Sequence, residues 1–409
     1  MRYLLIIPLV FLFSCSKKTD KNKAEEYLKN GEAKSELSEF RVAIQDANKA
    51  IEINPKDAEA YYKRGNAKNG LIDYKSAIHD YSTAIELKHE YVEAYCNRGI
   101  AKRNLREYAG AIKDYNKAIK IKPNFAAAYY NRGNVKYELK DNNGAIQDYT
   151  KAIEINPKFV DAYVNRGRSK EEGFTDHIGA IKDYTKAIEI DPYIVAAYYN
   201  RGIAKYDLKD NNGAIQDYTK AIEINSNFAD AYSNRGGAKN DLKDYSEAIQ
   251  DFNKAIEINL NYAEAYYNRG VAKTNLRDNT GAIQDYTKAI EINPNYVTAY
   301  FNRGFAKYGL KDYSGAIQDY SKVITINPNF IDIYWNRGFA KYGLKDYNGA
   351  IQDYSKVIMI NPKNADAYLN RGIAKYKFGD KDGACLDWKK ADKLGARNAY
   401  NLINKYCNE

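Results

Sequence analysis

The stretch that decides the fold is Ala126–Phe159, AAAYYNRGNVKYELKDNNGAIQDYTKAIEINPKF. Its pattern recurs along the chain, and ten copies contain an Arg-Gly pair. Successive pairs are 34 residues apart, except for one step of 35 between Arg166 and Arg201. A fixed period of this size is typical of an array of small units that stack on one another. We therefore expect an array and not a fold around one central core.

Each copy of the pattern predicts two helices. Tyr129, Arg132 and Lys136 have the spacing of one helix face. Asp141-Asn142-Asn143 interrupts that periodicity, and its side-chain oxygens can cap the helix that follows. Asn156-Pro157 ends the second helix, because proline cannot continue a helix. The unit is therefore a helix-turn-helix hairpin.

The unit resembles the tetratricopeptide repeat. Tyr129, Gly133, Ala145, Tyr149 and Pro157 match that family's signature, whereas arginine and lysine replace its usual leucine and tyrosine. The resemblance implies an all-α fold, a right-handed α-solenoid (superhelix) of eleven helix-turn-helix repeats with a C-terminal capping helix at 399–409. The expected repeats are 24–57, 58–91, 92–125, 126–159, 160–194, 195–228, 229–262, 263–296, 297–330, 331–364 and 365–398.

The N-terminus predicts a bacterial lipoprotein. Residues 1–14 have a positive start and an apolar run too short to span a bilayer, which fits a signal peptide. Ser14-Cys15 resembles the lipobox, which implies cleavage before Cys15 and attachment of diacylglycerol and a further acyl chain such as palmitate. Residues 15–23 form a polar, lipidated tether. The expected location is the bacterial cell envelope, anchored by lipid in the outer membrane and facing the periplasm or the exterior. The alternative is an ordinary signal peptide with an incidental cysteine.

No catalytic or metal-binding constellation is evident. The three histidines, His79, His89 and His177, occupy unrelated positions of the repeat, and no phosphate-binding loop is present. We expect no enzymatic activity, no cofactor and no metal. The net charge of +10 raises the question of nucleic acid, but the basic residues are interleaved with acids, so nucleic acid is not an expected partner.

Two of the four cysteines are candidates for a disulfide. Cys385 and Cys407 are 22 residues apart, near the start of one predicted helix and the end of the next. If those helices are antiparallel about Lys393–Arg397, the two sulfur atoms lie at similar height. An exported protein reaches compartments where such a pair oxidises.

Charged residues form two ladders along the repeats. Arginine at the Arg132 position and aspartate at the Asp148 position come to similar height in a hairpin, and we expect a buried pair that fixes packing. An anion-binding stripe is the alternative. The lysine at the Lys136 position is expected to cover apolar surface with its stem while its ammonium group stays in water.

An asparagine ladder and an aromatic set are the candidate peptide-binding residues. A carboxamide donates and accepts hydrogen bonds toward one peptide unit, and the family resemblance places first helices on the concave side of the superhelix. The alternative is that the asparagines only bridge adjacent helices. The asparagine ladder is Asn97, Asn131, Asn165, Asn200, Asn234, Asn268, Asn302, Asn336 and Asn370, and the aromatic set is Tyr62, Tyr130, Tyr199, Tyr267, Phe301 and Trp335.

Three functional hypotheses follow. The first is a membrane-anchored scaffold or adaptor that binds protein partners or extended peptides in its concave groove, in an envelope assembly or secretion complex. The second is a passive spacer that docks folded partners. The third is binding of cell-wall glycan or lipid by the tyrosine-rich face. The sequence leaves the oligomeric state open.

Overall fold

The computed structural model of the protein describes residues 32–407, with side chains from residue 38 onward. This part of the chain contains 22 α-helices and no β-strand. The all-α prediction of consecutive helix-turn-helix repeats is confirmed. The predicted signal peptide, Cys15 and the tether lie outside the described residues. None of the helices in residues 32–407 combines the length and the apolar character that a membrane span requires.

Ten hairpins make up most of the structure. Their first helices are α2 (Ala58–Gly70), α4 (Val92–Asn104), α6 (Ala126–Glu138), α8 (Val160–Phe174), α10 (Val195–Asp207), α12 (Ala229–Asp241), α14 (Ala263–Asn275), α16 (Val297–Gly309), α18 (Ile331–Gly343) and α20 (Ala365–Phe378). Their second helices are α3 (Tyr74–Leu87), α5 (Tyr108–Ile121), α7 (Asn142–Ile155), α9 (His177–Ile190), α11 (Asn211–Ile224), α13 (Tyr245–Ile258), α15 (Asn279–Ile292), α17 (Tyr313–Ile326), α19 (Tyr347–Ile360) and α21 (Lys381–Lys393). The hairpins are preceded by α1 (Glu32–Ile53) and followed by α22 (Ala399–Tyr406).

The turn inside each hairpin is closed by a backbone bond, and a side-chain cap is added in most of them. In the fourth repeat the Asp141 backbone N–H donates to the Lys136 carbonyl at 2.9 Å, and Lys140 adopts a left-handed conformation with φ of 64°. The Asp141 carboxylate then accepts from the Gly144 N–H at 2.9 Å, which caps the second helix. The predicted cap therefore forms, and the residue before it carries a backbone conformation that L side chains adopt at a cost.

Small residues let the two helices of a hairpin approach closely. The Tyr149 ring is buried and lies directly over Gly133, so that a Cβ there would come within 2.8 Å of the ring. Ala145 and Ala152 are fully buried on the facing helix. The cost of a glycine in the middle of a helix is thus offset by packing of a large ring against its backbone.

The chain divides into two compact units, one ending at Asn200 and the other beginning at Arg201. Within the first unit, second helices pack on the next hairpin, as α3 does on α4 and α7 on α8. The second unit repeats this arrangement from α11 on α12 to α19 on α20. Each unit is therefore held by a series of small apolar clusters between neighbouring hairpins.

The first predicted repeat differs from the others. Residues 32–53 form one continuous helix, α1, instead of two helices separated by a turn. Asn30 stands at the position of the recurrent arginine. Asp46 is accordingly exposed, at 69 % of its side chain, and its ion pair is with Lys49 at 3.8 Å. Asp46 on α1 therefore differs from the buried aspartates of the later hairpins, each of which pairs with an arginine.

The last helix covers the end of the second unit. The Tyr406 ring on α22 lies 4.6 Å from the Tyr376 ring and 6.0 Å from the Trp388 ring, centroid to centroid. The structure places a disulfide between Cys385 on α21 and Cys407 at the end of α22, with their Cα atoms 5.8 Å apart. This short helix is therefore fixed by both aromatic packing and a covalent bond.

Candidate functional site: the face of the first helices

Each hairpin from α2 to α21 contains one buried aspartate that is bound by an arginine of its first helix. In the fourth repeat, Arg132 Nε lies 2.8 Å from Asp148 Oδ2, and Nη2 lies 2.5 Å from Oδ1. The ten aspartates are Asp80, Asp114, Asp148, Asp183, Asp217, Asp251, Asp285, Asp319, Asp353 and Asp387, and all are buried. The predicted pair thus forms as a bidentate ion pair inside the hairpin.

The lysine at the Lys136 position has a different role from the one expected. Lys136 Nζ lies 2.8 Å from Asp148 Oδ2, and its side chain is only 23 % exposed. The expectation of a solvated ammonium group is wrong, because the carboxylate has lone pairs left after binding the guanidinium. Two cations therefore share one aspartate, and each cluster carries one surplus positive charge.

The same arginines also connect neighbouring hairpins. Arg98 Nη1 donates to Ser82 Oγ on α3 at 3.0 Å. In the second unit, Arg303 Nη1 donates to Thr287 Oγ1 on α15 at 3.0 Å. These acceptors lie on the second helix of the preceding hairpin, so one guanidinium fixes both the hairpin and its junction with the hairpin before it.

The asparagine ladder is half-buried in all nine repeats. Asn97 Nδ2 donates to the Tyr62 hydroxyl and Asn302 Nδ2 to the Tyr267 hydroxyl, each at 3.1 Å and one repeat earlier. Asn165 does the same with Tyr130. Asn131, Asn336 and Asn370 instead donate to backbone carbonyls of Ala127, Asp332 and Asp366 on their own helices. Much of the donor capacity of the ladder is thus used inside the protein.

The aromatic set packs between hairpins. Tyr62 lies 4.9 Å from Tyr91, and Tyr130 lies 4.7 Å from Phe159, at the residues that lead into the next first helix. Burial raises the pKa of Tyr130 to about 12, so that its hydroxyl stays neutral and accepts from asparagine. Tyr199 is buried, Tyr267 and Phe301 pack on the same type of neighbour, and Trp335 packs on Phe339. These rings belong largely to the core between repeats.

An apolar cavity opens on the first helices of repeats eight to ten, in the second unit. It has a volume of about 280 Å³. Its apolar lining is Val271, Tyr286, Phe301 and Phe305, and its polar lining is Thr274, Asn275, Asn302 and Asn336. Phe305 is 53 % exposed, so its ring is open to solvent at this cavity. No charged residue lines this cavity.

The corresponding positions of the first unit form a charged network. It consists of Arg103, Tyr137, Glu138, Arg168 and Glu172. Arg103 Nε binds Glu138 Oε1 at 2.7 Å, and Arg168 Nη2 donates to the Tyr137 hydroxyl at 3.1 Å. Tyr137 in turn donates to Glu172. The face of the first helices is therefore closed by ion pairs here and open and apolar in the second unit.

Sequence reasoning missed Val271 and Phe305. Both lie three residues after a member of the asparagine ladder, at the position that Arg168 occupies in the fifth repeat. A comparison of this position among repeats would have found them, because it varies between polar residues such as Arg168 and apolar ones while the glycine before it stays constant. Such variation within a repeat points to the exposed face.

The described residues offer no metal centre. Nowhere between residues 32 and 407 do three His, Cys, Asp or Glu side chains come together as ligands. His177 Nδ1 lies 3.7 Å from Glu171 Oε1, beside the one-residue insertion of the fifth repeat. Cys96 is buried and free.

Comparison with known families assigns the chain. Two family models match, "TPR repeat" at residues 103–140, 238–276, 308–345 and 342–379, and "Tetratricopeptide repeat" at residues 126–159, 195–228 and 263–296. Together they cover more than half of the chain. The chain belongs to the tetratricopeptide repeat (TPR) family. The search of curated proteins gives no match.

One solved TPR structure shares the fold, and two further solved structures are similar to part of the chain. The C-terminal part of a TPR repeat-containing protein from Cytophaga hutchinsonii is 21 % identical, with a TM-score of 0.50 over 58 % of this chain and 97 % of that one. MamA is 29 % identical, with a TM-score of 0.38 over 39 % of this chain and 94 % of that one. YrrB, described as a TPR protein with an unusual peptide-binding site, is 24 % identical, with a TM-score of 0.40 over 45 % and 95 %.

Proposed function

We propose that this TPR protein is a membrane-anchored, non-catalytic adaptor that binds an extended segment of a partner protein in the apolar cavity of repeats eight to ten. TPR repeats as a class are protein-interaction scaffolds, and nothing in the described residues indicates catalysis. The observation that carries the proposal is the exposed Phe305 ring at a cavity that also presents the carboxamides of Asn302 and Asn336. An apolar pocket with a few polar groups is typical of a binding site.

The contacts around the cavity support a peptide as the ligand. Asn302 donates one bond to Tyr267, and Asn336 donates one bond to a carbonyl of its own helix. A carboxamide has a second N–H and an oxygen with two lone pairs. These groups suit a peptide backbone, while the 280 Å³ volume suits an apolar side chain.

The membrane anchor and the envelope location rest on the sequence around Cys15. Lipidation at this residue would hold the array at a bacterial membrane, within reach of an assembly or secretion complex. Metabolic labelling with palmitate is the test. We expect label in the wild-type protein and none in a Cys15→Ser variant, together with loss of the variant from the membrane fraction. Label that persists in the variant would overturn the lipid anchor.

Site-specific photo-crosslinking in cells tests the binding site. A photo-reactive phenylalanine analogue replaces Phe305, and the matched control replaces Leu386 on α21, which is 69 % exposed. We expect capture of one or a few defined linear segments at Phe305 and not at Leu386, with the crosslinked residues read by mass spectrometry. Equal capture at both positions, or none at Phe305, would argue against the cavity.

A passive spacer is the second candidate. The observation in its favour is that Asn97, Asn165 and Asn302 use amide bonds to hold adjacent first helices together. Under this alternative, the asparagine ladder only stiffens the array of helices, and folded partners dock elsewhere. Loss of the Phe305 ring would then leave partner binding unchanged.

A further inference from the structure

The face of the first helices in the second unit carries a charge opposite to that of the whole chain. At the first and last turns of these helices the face carries six acidic side chains and one basic side chain, whereas the chain as a whole has a net charge of +10. The acids are Asp207, Asp230, Asp241, Glu264, Asp332 and Asp366, and the one basic residue at these positions is Lys377. Glu264, Asp332 and Asp366 are exposed.

Apart from Lys377, the recurrent cations of these helices lie on the opposite face. Arg269 and Lys273 both bind Asp285, with nitrogen–oxygen distances of 2.5 and 2.7 Å. At 100° per residue, these positions point away from Glu264 and Val271. The hairpin turns carry lysine or arginine too, but an aspartate that caps the second helix follows each of them, as Asp312 follows Lys311. The negative charge of the exposed face is therefore not balanced by these groups.

Two of these acids lie beside the apolar cavity, on helices that line it. Asn336 lines the cavity and donates to the backbone carbonyl of Asp332, which places Asp332 one turn away on the same face. Glu264 is seven residues before Val271, two turns along the same face of α14. The carboxylates of Asp230 and Asp241 accept from the neutral hydroxyls of Tyr262 and Tyr206, at 2.7 Å each. A neutral donor leaves the negative charge in place.

We infer that the partner of this face is a basic extended peptide, whose apolar side chain fills the cavity and whose lysine or arginine side chains meet Glu264 and Asp332. The inference rests on the proposed function and adds the chemistry of the ligand. Charge complementarity of this kind mainly sets partner choice and association rate. An acidic peptide would meet like charges at the first turns of α14 and α18, beside the cavity.

Fluorescence anisotropy with three labelled synthetic peptides of equal length tests the inference. All three alternate phenylalanine or leucine with a second residue type, which is lysine, glutamate or serine. With the full chain in detergent micelles, we expect the lysine peptide to bind at least about tenfold more tightly than the glutamate peptide, and its affinity to fall as salt is raised.

A pair of matched variants separates the site from general electrostatics. E264Q/D332N removes two acids from first turns of α14 and α18. E247Q/D382N removes two acids from first turns of the second helices α13 and α21. We expect the first variant to weaken the lysine peptide about threefold per carboxylate and the second to change its affinity little. Thermal melts of both variants report any loss of helix stability from the missing acids.

The outcomes distinguish the two proposals. If all three peptides bind equally and F305S abolishes binding, the cavity is a peptide site and the basic-partner inference is wrong. Tighter binding of the glutamate peptide, or equal effects of the two charge variants, also overturns the inference alone. If none of the peptides binds, the inference and the peptide-binding function both fail.

Discussion

The first helices α4, α6 and α8 of the first unit and α14, α16 and α18 of the second present different surfaces on the same hairpin frame. Both regions contain the buried cluster of arginine, lysine and aspartate, around Asp148 in one and Asp285 in the other. The charged network closes the exposed face in the first region, whereas the second region has the apolar cavity. The residues that hold each hairpin together and the residues that form its exposed face therefore occupy separate positions of the repeat.

The prediction with the largest expected effect tests whether the buried cluster stabilises both regions equally. We expect Asp148→Ala and Asp285→Ala each to lower the free energy of unfolding by about 3–5 kcal/mol, because each leaves two cations without their buried partner. Urea denaturation followed by circular dichroism measures it. Asp46→Ala is the matched control, since Asp46 occupies the same repeat position but is exposed, and its change should be near zero. A large difference between Asp148 and Asp285 would break the comparison.

The next effect concerns the end of the second region. Removing the disulfide with Cys407→Ser is expected to destabilise the docked α22 by about 3 kcal/mol, given its 22-residue loop. Hydrogen exchange should show faster exchange in α22 and unchanged exchange in α14. If exchange in α14 also rises, the cavity depends on the C-terminal cap, and the contrast between the two regions is not local.

Two adjacent glycines of α12 distinguish a packed position from an open position within one helix. Gly236 lies under the buried Phe252 ring, where a Cβ would come within 2.8 Å, whereas nothing lies within 4 Å of a Cβ at Gly237. Gly236→Ala should cost about 1–3 kcal/mol through overpacking. Gly237→Ala should stabilise by up to about 1 kcal/mol through helix propensity. Thermal unfolding measures both, and a loss of stability at Gly237 would contradict the separation.

The last effect concerns binding. Phe305 and Arg168 occupy the same repeat position in the two regions. We expect Phe305→Ser to weaken the lysine peptide by at least about tenfold, as truncating a central aromatic side chain commonly does. Arg168→Ser should leave its affinity unchanged while removing the bond to Tyr137. Equal losses would place the peptide along the whole array.

The residues that hold each hairpin together were predictable from the sequence because they recur in the repeats. The period, the capping Asp141, the Gly133–Tyr149 packing and the Arg132–Asp148 pair all follow from residue types at constant spacing. The second bond of that pair's carboxylate, to Lys136, was not predictable, since only the folded hairpin shows which oxygen is left for a third group.

The exposed face was harder to predict because its informative residues vary. The asparagine ladder attracted the functional interpretation through its regularity, yet several of its amides hold neighbouring helices together. The cavity instead depends on Val271 and Phe305, which break the regularity of the repeat. Whether such residues are exposed depends on how adjacent first helices pack, which a single repeat does not reveal.

The bonds from these arginines to the hairpins before them have a genetic consequence. The acceptor is a hydroxyl or a carboxamide, as with Thr287 for Arg303 and Asn253 for Arg269. If unequal recombination removed residues 229–262, which do not line the cavity, Arg269 would meet Thr219, the hydroxyl that now accepts from Arg235. The gene can therefore gain or lose whole units while the arginine at the new junction still finds an acceptor. The number of repeats can therefore change in evolution separately from the residues that form a binding surface.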